Sequence, residues 1–303
     1  MDIAIMIEGQ DGLTWPRWQN LARAVEELGF SGLFRSDHFT NGRPPDKDSL
    51  ELWVSLTWLA SHTKRIEFGP LVSPVSFRHP AFTARMASAV DDLSGGRLVL
   101  GLGAGWQVRE HEMYGFDLLE PGPRFDRFEE GLEIITRLFH EDQPVTYEGH
   151  YFQLRGASLL PRPTRTGGPL IAIGGNGVNR TLAYVVRYAS EWNAVYIPAE
   201  RLLELNKKLD GLLDQAGRSH ASVRRSAMLG CIYGRTMDQV NDKLAERNLT
   251  FDEFRQLGGV VGTGDQIHQQ LVELHGTDVQ RVMLQWLDLD DLKGLDTLAK
   301  EIL

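Results

Sequence analysis

Residues 98–106 read Leu98-Val99-Leu100-Gly101-Leu102-Gly103-Ala104-Gly105-Trp106, an apolar run that turns into alternating glycines. The run is short and rich in Leu and Val, as expected of a parallel strand buried on both faces. A dinucleotide-binding turn would require G-x-G-x-x-G, and the third glycine position is held by Trp106. The stretch is therefore not a Rossmann fingerprint. Glycines at a strand exit let another backbone or a planar ring approach closely.

Working outward, similar runs recur at Ile3–Ile7, Gly32–Ser36, Ile66–Val72, Leu170–Ile173, Trp192–Ile197, Ser226–Tyr233 and Val282–Trp286, which makes eight with the first. Segments of helical period fill the gaps: Trp15–Leu28, Leu50–His62, Pro80–Leu93, Arg124–Phe139, Arg180–Tyr188, Leu202–Gln215, Met237–Arg247 and Asp265–His275. Thr263-Gly264-Asp265-Gln266 fits a capping box at the start of the last. Eight β-α alternations predict a closed (β/α)8 TIM barrel, class α/β, running as one domain over 1–303. Residues 143–166 interrupt the rhythm. There Tyr147-Glu148-Gly149-His150-Tyr151-Phe152 reads as a hairpin insertion, and Pro161-Arg162-Pro163 as an extended return.

Composition narrows the function classes. Of 303 residues, 42% are apolar and 24% charged, ordinary for a soluble globular protein, and the net charge is −9. With no basic cluster, nucleic acid is not expected as a partner. No apolar run approaches the about 20 residues of a membrane span, and Asp2–Ile7 reads as a strand rather than a leader. The single cysteine, Cys231, reads as a buried strand thiol and excludes an internal disulfide, consistent with a cytoplasmic protein.

In such a barrel, chemistry collects where strands exit toward the C-terminal face. The second strand exits into Asp37-His38. A neutral imidazole there suits acid/base work or a hydrogen bond to a reduced ring, with Asp37 to orient it or neutralise its charge; a capping Asp and a surface His form the rival reading. Trp106 is placed to wall a ring, with core packing as its rival. Glu110 and His111 follow as substrate-pocket candidates. Gly174-Gly175-Asn176-Gly177 precedes a helix, so its N–H groups and the helix dipole suit a phosphate. Metal hydrolysis through Asp37, His38, His79 and His111 is disfavoured, because the first strand ends Ile5-Met6-Ile7-Glu8 without an H-x-H pair.

Four stretches together resemble the luciferase-like monooxygenase family: Ser36-Asp37-His38-Phe39; Gly69-Pro70-Leu71-Val72-Ser73-Pro74 with Arg78-His79-Pro80; Leu93-Ser94-Gly95-Gly96-Arg97 with the glycine run above; and Ile173-Gly174-Gly175-Asn176-Gly177. The resemblance is strong to about residue 200 and weaker beyond. It implies an oxidoreductase using coenzyme F420, or alternatively FMN, on a small-molecule substrate. His38 would lie against the ring, and Pro70, Leu71, Val72 and Ser73 would bulge beneath it with a non-proline cis peptide, best placed at Pro70–Leu71. Gly103, Ala104, Gly105 and Trp106 would line the cofactor, and Gly174 to Gly177 would take its phosphate. No metal site is implied. Sugar-phosphate dehydrogenases of the family carry a glutamate in the loop after strand four. Here Trp106 takes that place, with Glu110 and Glu112 displaced, which speaks against that activity. Pairing in the family implies a homodimer, with Phe82 and Met86 offering apolar surface.

Overall fold

A computed structural model describes residues 1–303. Eight parallel strands form the barrel: β1 Asp2–Ile7, β2 Gly32–Arg35, β3 Glu67–Pro70, β4 Val99–Gly103, β5 Leu170–Gly174, β6 Glu191–Val195, β7 Arg224–Tyr233 and β8 Arg281–Gln285. Neighbours pair in chain order, and β8 returns to β1 with Ile5 opposite Leu284. The seam between β3 and β4 is closed by the Phe68–Leu98 bridge and by Ser73–Pro74, which resumes β3 and pairs with Leu102 and Gly103. All eight predicted runs are thus strands of one barrel.

Helices cover the outside: α1 Trp15–Leu28, α2 Leu52–His62, α3 Pro80–Ser94, α4 Val108–Tyr114, α5 Pro121–His140, α6 Thr181–Tyr188, α7 Ala199–Gln215, α8 Met237–Ala245, α9 Phe251–Gln256, α10 Gly264–His275 and α11 Leu292–Ile302. α1 shows the logic. Trp18, Leu21, Ala22 and Val25 recur at helical spacing and are buried, and Gly29 ends the helix at φ 98°. Each large side chain buried this way contributes about 1.5–3 kcal/mol. The Thr263–Gln266 capping box opens α10 as expected.

Four elements escaped the sequence reading. They are α4, α9, α11 and the short strand Val260–Gly262, which pairs with β7. The first two span seven and six residues, too short to show a period. α11 carries a readable stripe, Leu295, Leu298, Ala299 and Ile302, opened by Asp291 as its cap. The hairpin pairs Val145–Glu148 with Gln153–Ala157. It is docked on α5, whose Glu130 carboxylate accepts the N–H groups of His150, Tyr151 and Phe152 at 2.7–3.1 Å.

The barrel interior is layered. Ala4, Met6, Phe34, Val99, Ala172 and Met283 pack across its middle. Charges plug the N-terminal end, where Arg281, fully buried, reaches Glu67 and Glu191, and Arg224 joins both carboxylates. Removing one member of such a cluster would leave buried charge uncompensated. With that end sealed, the cavity opens only at the other.

Candidate active site

The cavity, about 670 Å³, lies at the C-terminal mouth. His38 reaches it from the exit of β2, Leu71 and Val72 from β3, Gly103 to Trp106 from β4, Gly174 to Gly177 from β5, and Asn193 with Tyr196 from β6. A second cleft of about 600 Å³ lies on the barrel's flank, where Arg255 and Glu273 satisfy one another at 2.9 Å. No proton-transfer pair faces that cleft, so chemistry selects the mouth.

His38 is held by Glu110. The imidazole Nδ1 lies 2.7 Å from Glu110 Oε1, and Glu110 Oε2 accepts the Phe39 N–H at 3.0 Å. A carboxylate can only accept, so Nδ1 carries the proton. Nε2 has no partner in the protein and is the ring nitrogen left for a ligand. Burial alone would lower the imidazole's pKa. The hydrogen bond and charge of Glu110, with Glu8 and Asp37 adding to them, outweigh it, and the pKa is raised. Trp106 stands edge-on to His38, ring centroids 5.5 Å apart, and is 65% exposed. It is therefore a rim residue and not a core tryptophan.

Asp37 does not orient His38, as the sequence had led us to expect. Its buried carboxylate accepts from Ser73 Oγ at 2.7 Å and from the Arg78 guanidinium, which also binds Glu51, the N-cap of α2. Asp37 and Ser73 thus lie behind the cavity wall and tie β2 to the bulge after β3. Pro70 ends β3 and also lies outside the lining. His111 is withdrawn too. Its Nδ1–H donates to the Gln107 carbonyl at 2.7 Å and its Nε2 accepts from Ser76 Oγ at 2.8 Å, so both ring nitrogens are consumed by structure. The adjacent Glu110 points inward instead. A glutamate therefore does reach the site, but from α4, while Trp106 keeps the place just after β4.

The bulge carries a cis peptide at Leu71–Val72, one residue past the expected bond. The reason lies in the ladder: Leu71 N–H still donates to the Arg35 carbonyl at 2.7 Å, so the chain leaves the strand only after Leu71. Val72 then fills space that the alternating glycines leave. A Cβ at Gly103 would sit 2.6 Å from Val72 Cγ2, and one at Gly101 2.1 Å from the Pro70 carbonyl oxygen.

The β5 exit is a glycine turn with unpaired backbone donors. Gly175 adopts φ 121°, which other residues rarely reach, and its N–H is spent on the Asn193 carbonyl. The following N–H groups of Asn176, Gly177 and Val178 have no acceptor in the protein. Asn176 is fixed by paired bonds to the Val195 backbone. Thr181, at the start of α6, lines the same turn with its hydroxyl unpaired. On the cavity floor, Asn193 is fully buried. Its Nδ2 donates to Ser226 Oγ at 2.9 Å, while Oδ1 accepts nothing. Sequence reading missed Thr181, Asn193, Tyr196, Glu8 and Gln10. A signal existed for Thr181, a hydroxyl at the helix start after a glycine turn; the others become neighbours only when the barrel closes.

Comparison with known proteins follows this geometry. The sequence profile of the luciferase-like monooxygenases matches residues 4–294. An F420-dependent glucose-6-phosphate dehydrogenase of Kineococcus radiotolerans is 33% identical over 53% of this chain and 48% of its own length. A 4-hydroxyprotoasukamycin monooxygenase of Streptomyces nodosus subsp. asukaensis is 34% identical over 54% of this chain and 43% of its own. The chain thus spans about half the length of these curated relatives. An F420-dependent secondary alcohol dehydrogenase, solved with an F420-acetone adduct, superposes with a TM-score of 0.88 at 17% identity, covering 99% of this chain and 98% of that one. That likeness concerns the fold.

Proposed function

The chain belongs to the luciferase-like monooxygenase family, and from that premise we propose that it is an oxidoreductase moving a hydride between coenzyme F420 and a small organic substrate. The observation that carries the reading is the free Nε2 of a Glu110-bound His38 in the same cavity as a turn whose N–H groups have no acceptor in the protein. The residues fit such a cofactor. The N–H groups of Asn176 to Val178 and the Thr181 hydroxyl would hold its phosphate, with the α6 dipole behind them. Leu71, Val72 and Gly103 offer a flat apolar bed, and the orphaned Asn193 Oδ1 would accept from a ring N–H. When bound, the deazaflavin supplies a two-electron hydride acceptor or donor.

The chain's own residues supply the rest. In the oxidative direction His38 Nε2 takes the proton of a substrate hydroxyl, and Glu110 stabilises the imidazolium that results. In the reductive direction the same proton returns. Trp106 covers the rim and limits water. An FMN-dependent monooxygenase is the second reading, because the cradle serves either phosphate and one relative bears a monooxygenase name. Titration of the apoprotein with each cofactor decides: F420 should bind and FMN should not, and the reverse result would install the second reading.

Three further readings accompany this one. The chain acts as one barrel domain, with the hairpin as an excursion. It pairs as a homodimer, supported by the exposed Phe82 on α3 beside half-buried Met86. It works in the cytoplasm; no helix is long and apolar enough to cross a membrane.

A further inference from the structure

The wall formed by Glu8, Gln10 and Tyr196 makes no hydrogen bond to the proton-transfer pair or to the cradle, and Glu8 acts on His38 only through its charge. Glu8, just past β1, faces the cavity. Its Oε1 accepts from Gln285 Nε2 at 2.7 Å and its Oε2 from Gln10 Nε2 at 2.9 Å, so its orientation is fixed from both sides. Gln10 is itself anchored, accepting from Ser36 Oγ at 2.6 Å. Tyr196 stands on the rim at φ 45°, a conformation unusual for a residue with a side chain. Its N–H donates to the Met228 carbonyl at 3.0 Å, and Gly258 abuts its peptide so closely that a Cβ there would lie 2.7 Å from the Tyr196 carbonyl carbon. These contacts hold the strained backbone, and the side chain lines the cavity. Burial, with Glu8's charge added, pushes the Tyr196 phenol up, so it remains a donor at neutral pH.

No lysine or arginine lines the cavity, while two carboxylates, Glu8 and Glu110, do. The only anion-accepting feature is the cradle, which the cofactor phosphate takes. Apolar side chains, Phe125, Phe128 and Met228 among them, supply the rest of the wall.

Resting on the F420 reading above, we infer that Glu8 and Tyr196 form a specificity wall that admits an uncharged, hydroxyl- or carbonyl-bearing substrate with an apolar body and rejects phosphorylated or carboxylated ones. Glu8 accepts from substrate hydroxyls and Tyr196 donates to their oxygens. An anion brought there meets the charge of Glu8 without a lysine or arginine to offset it, the one imidazole being already paired with Glu110, a penalty that reaches about 100-fold or more in affinity on the order-of-magnitude scale of such contacts. The reaction balances as oxidation of a secondary alcohol: the C–H hydride goes to the cofactor, the hydroxyl proton to His38, and a ketone leaves.

The test is calorimetric binding to the F420-loaded protein, using matched probes: cyclohexanone against cyclohexanecarboxylate, and glucose against glucose-6-phosphate. The uncharged member of at least one pair should bind at least about 100-fold tighter than its anionic partner. Glu8→Gln should narrow that ratio at least about tenfold by strengthening the anion's binding, and Tyr196→Lys, at the exposed rim, should do the same without touching Glu8. Preference for the anion, unchanged ratios in both variants, or no binding by any of the four probes would overturn the inference. Failure of F420 itself to bind would instead strike the functional reading on which it rests.

Discussion

Glu110 Oε1 lies 2.7 Å from His38 Nδ1, although 72 residues separate the two along the chain. Because the bond and charge raise the imidazole's pKa against the opposing effect of burial, removing the carboxylate should lower it. Glu110→Gln is expected to move the acid limb of the kcat/KM profile for alcohol oxidation toward lower pH. The sign for stability is fixed too. A raised folded-state pKa stabilises below the unfolded value and loses that contribution as pH rises through the folded one. The Tm deficit of Glu110→Gln should therefore be larger at pH below about 6.5 than in alkali. NMR titration of the His38 ring with thermal melts checks both.

His38→Ala should leave the fold intact, since the ring sits at a strand exit rather than in the core. Cofactor affinity should fall only modestly, because the cradle is untouched. The chemical step should slow by about 10²- to 10⁴-fold, the usual range for a positioned acid or base. Single-turnover kinetics at saturating cofactor measures it, and an unchanged rate would assign His38 to packing.

Asp37 should behave as a structural residue. Its buried carboxylate holds Ser73 Oγ and the Arg78 guanidinium. Asp37→Ala would leave Arg78 with Glu51 as its one carboxylate partner, beside a 3.3 Å bond to Ser73 Oγ, and should cost about 3–5 kcal/mol of stability, the scale of breaking a buried pair. Asp37→Asn, which keeps the bond to Ser73, should cost less. Chemical denaturation separates them. A variant that keeps full stability but loses the rate would instead make Asp37 part of the proton path.

Gly175→Ala places a Cβ on a backbone at φ 121°. The strain, about 1–3 kcal/mol, should be relieved by shifting the loop, which would scatter the free N–H groups of Asn176 to Val178. F420 affinity should fall at least about tenfold, while the pH dependence of the residual activity stays as in the parent, because His38 and Glu110 are unaffected. Fluorescence titration of the cofactor gives the first number and a pH profile the second.

How far the chain itself disclosed these features depends on how local each one is. Continuous apolar runs and stripes of period 3.6 are local patterns, so all eight barrel strands and most of the longer helices could be read. α4 could not, since seven residues hold fewer than two turns. The cis bond lies one position past Pro70–Leu71, within the same four-residue stretch, because only the β2–β3 ladder shows where the strand ends.

The amino-acid sequence by itself determined the barrel, the glycine cradle before α6 and the imidazole at the exit of β2, each written in a few adjacent residues with a physical meaning of their own. Which carboxylate serves that imidazole was decided by tertiary structure. Asp37 is its neighbour in sequence, but just past the end of β2 it turns away to Ser73 and Arg78. Glu110 reaches His38 only because the barrel sets the β4 exit near that of β2 and α4 turns its inner face to the cavity. The wall of Glu8 and Tyr196 has the same origin. The first follows β1 and the second follows β6, and only closure of the sheet makes them neighbours.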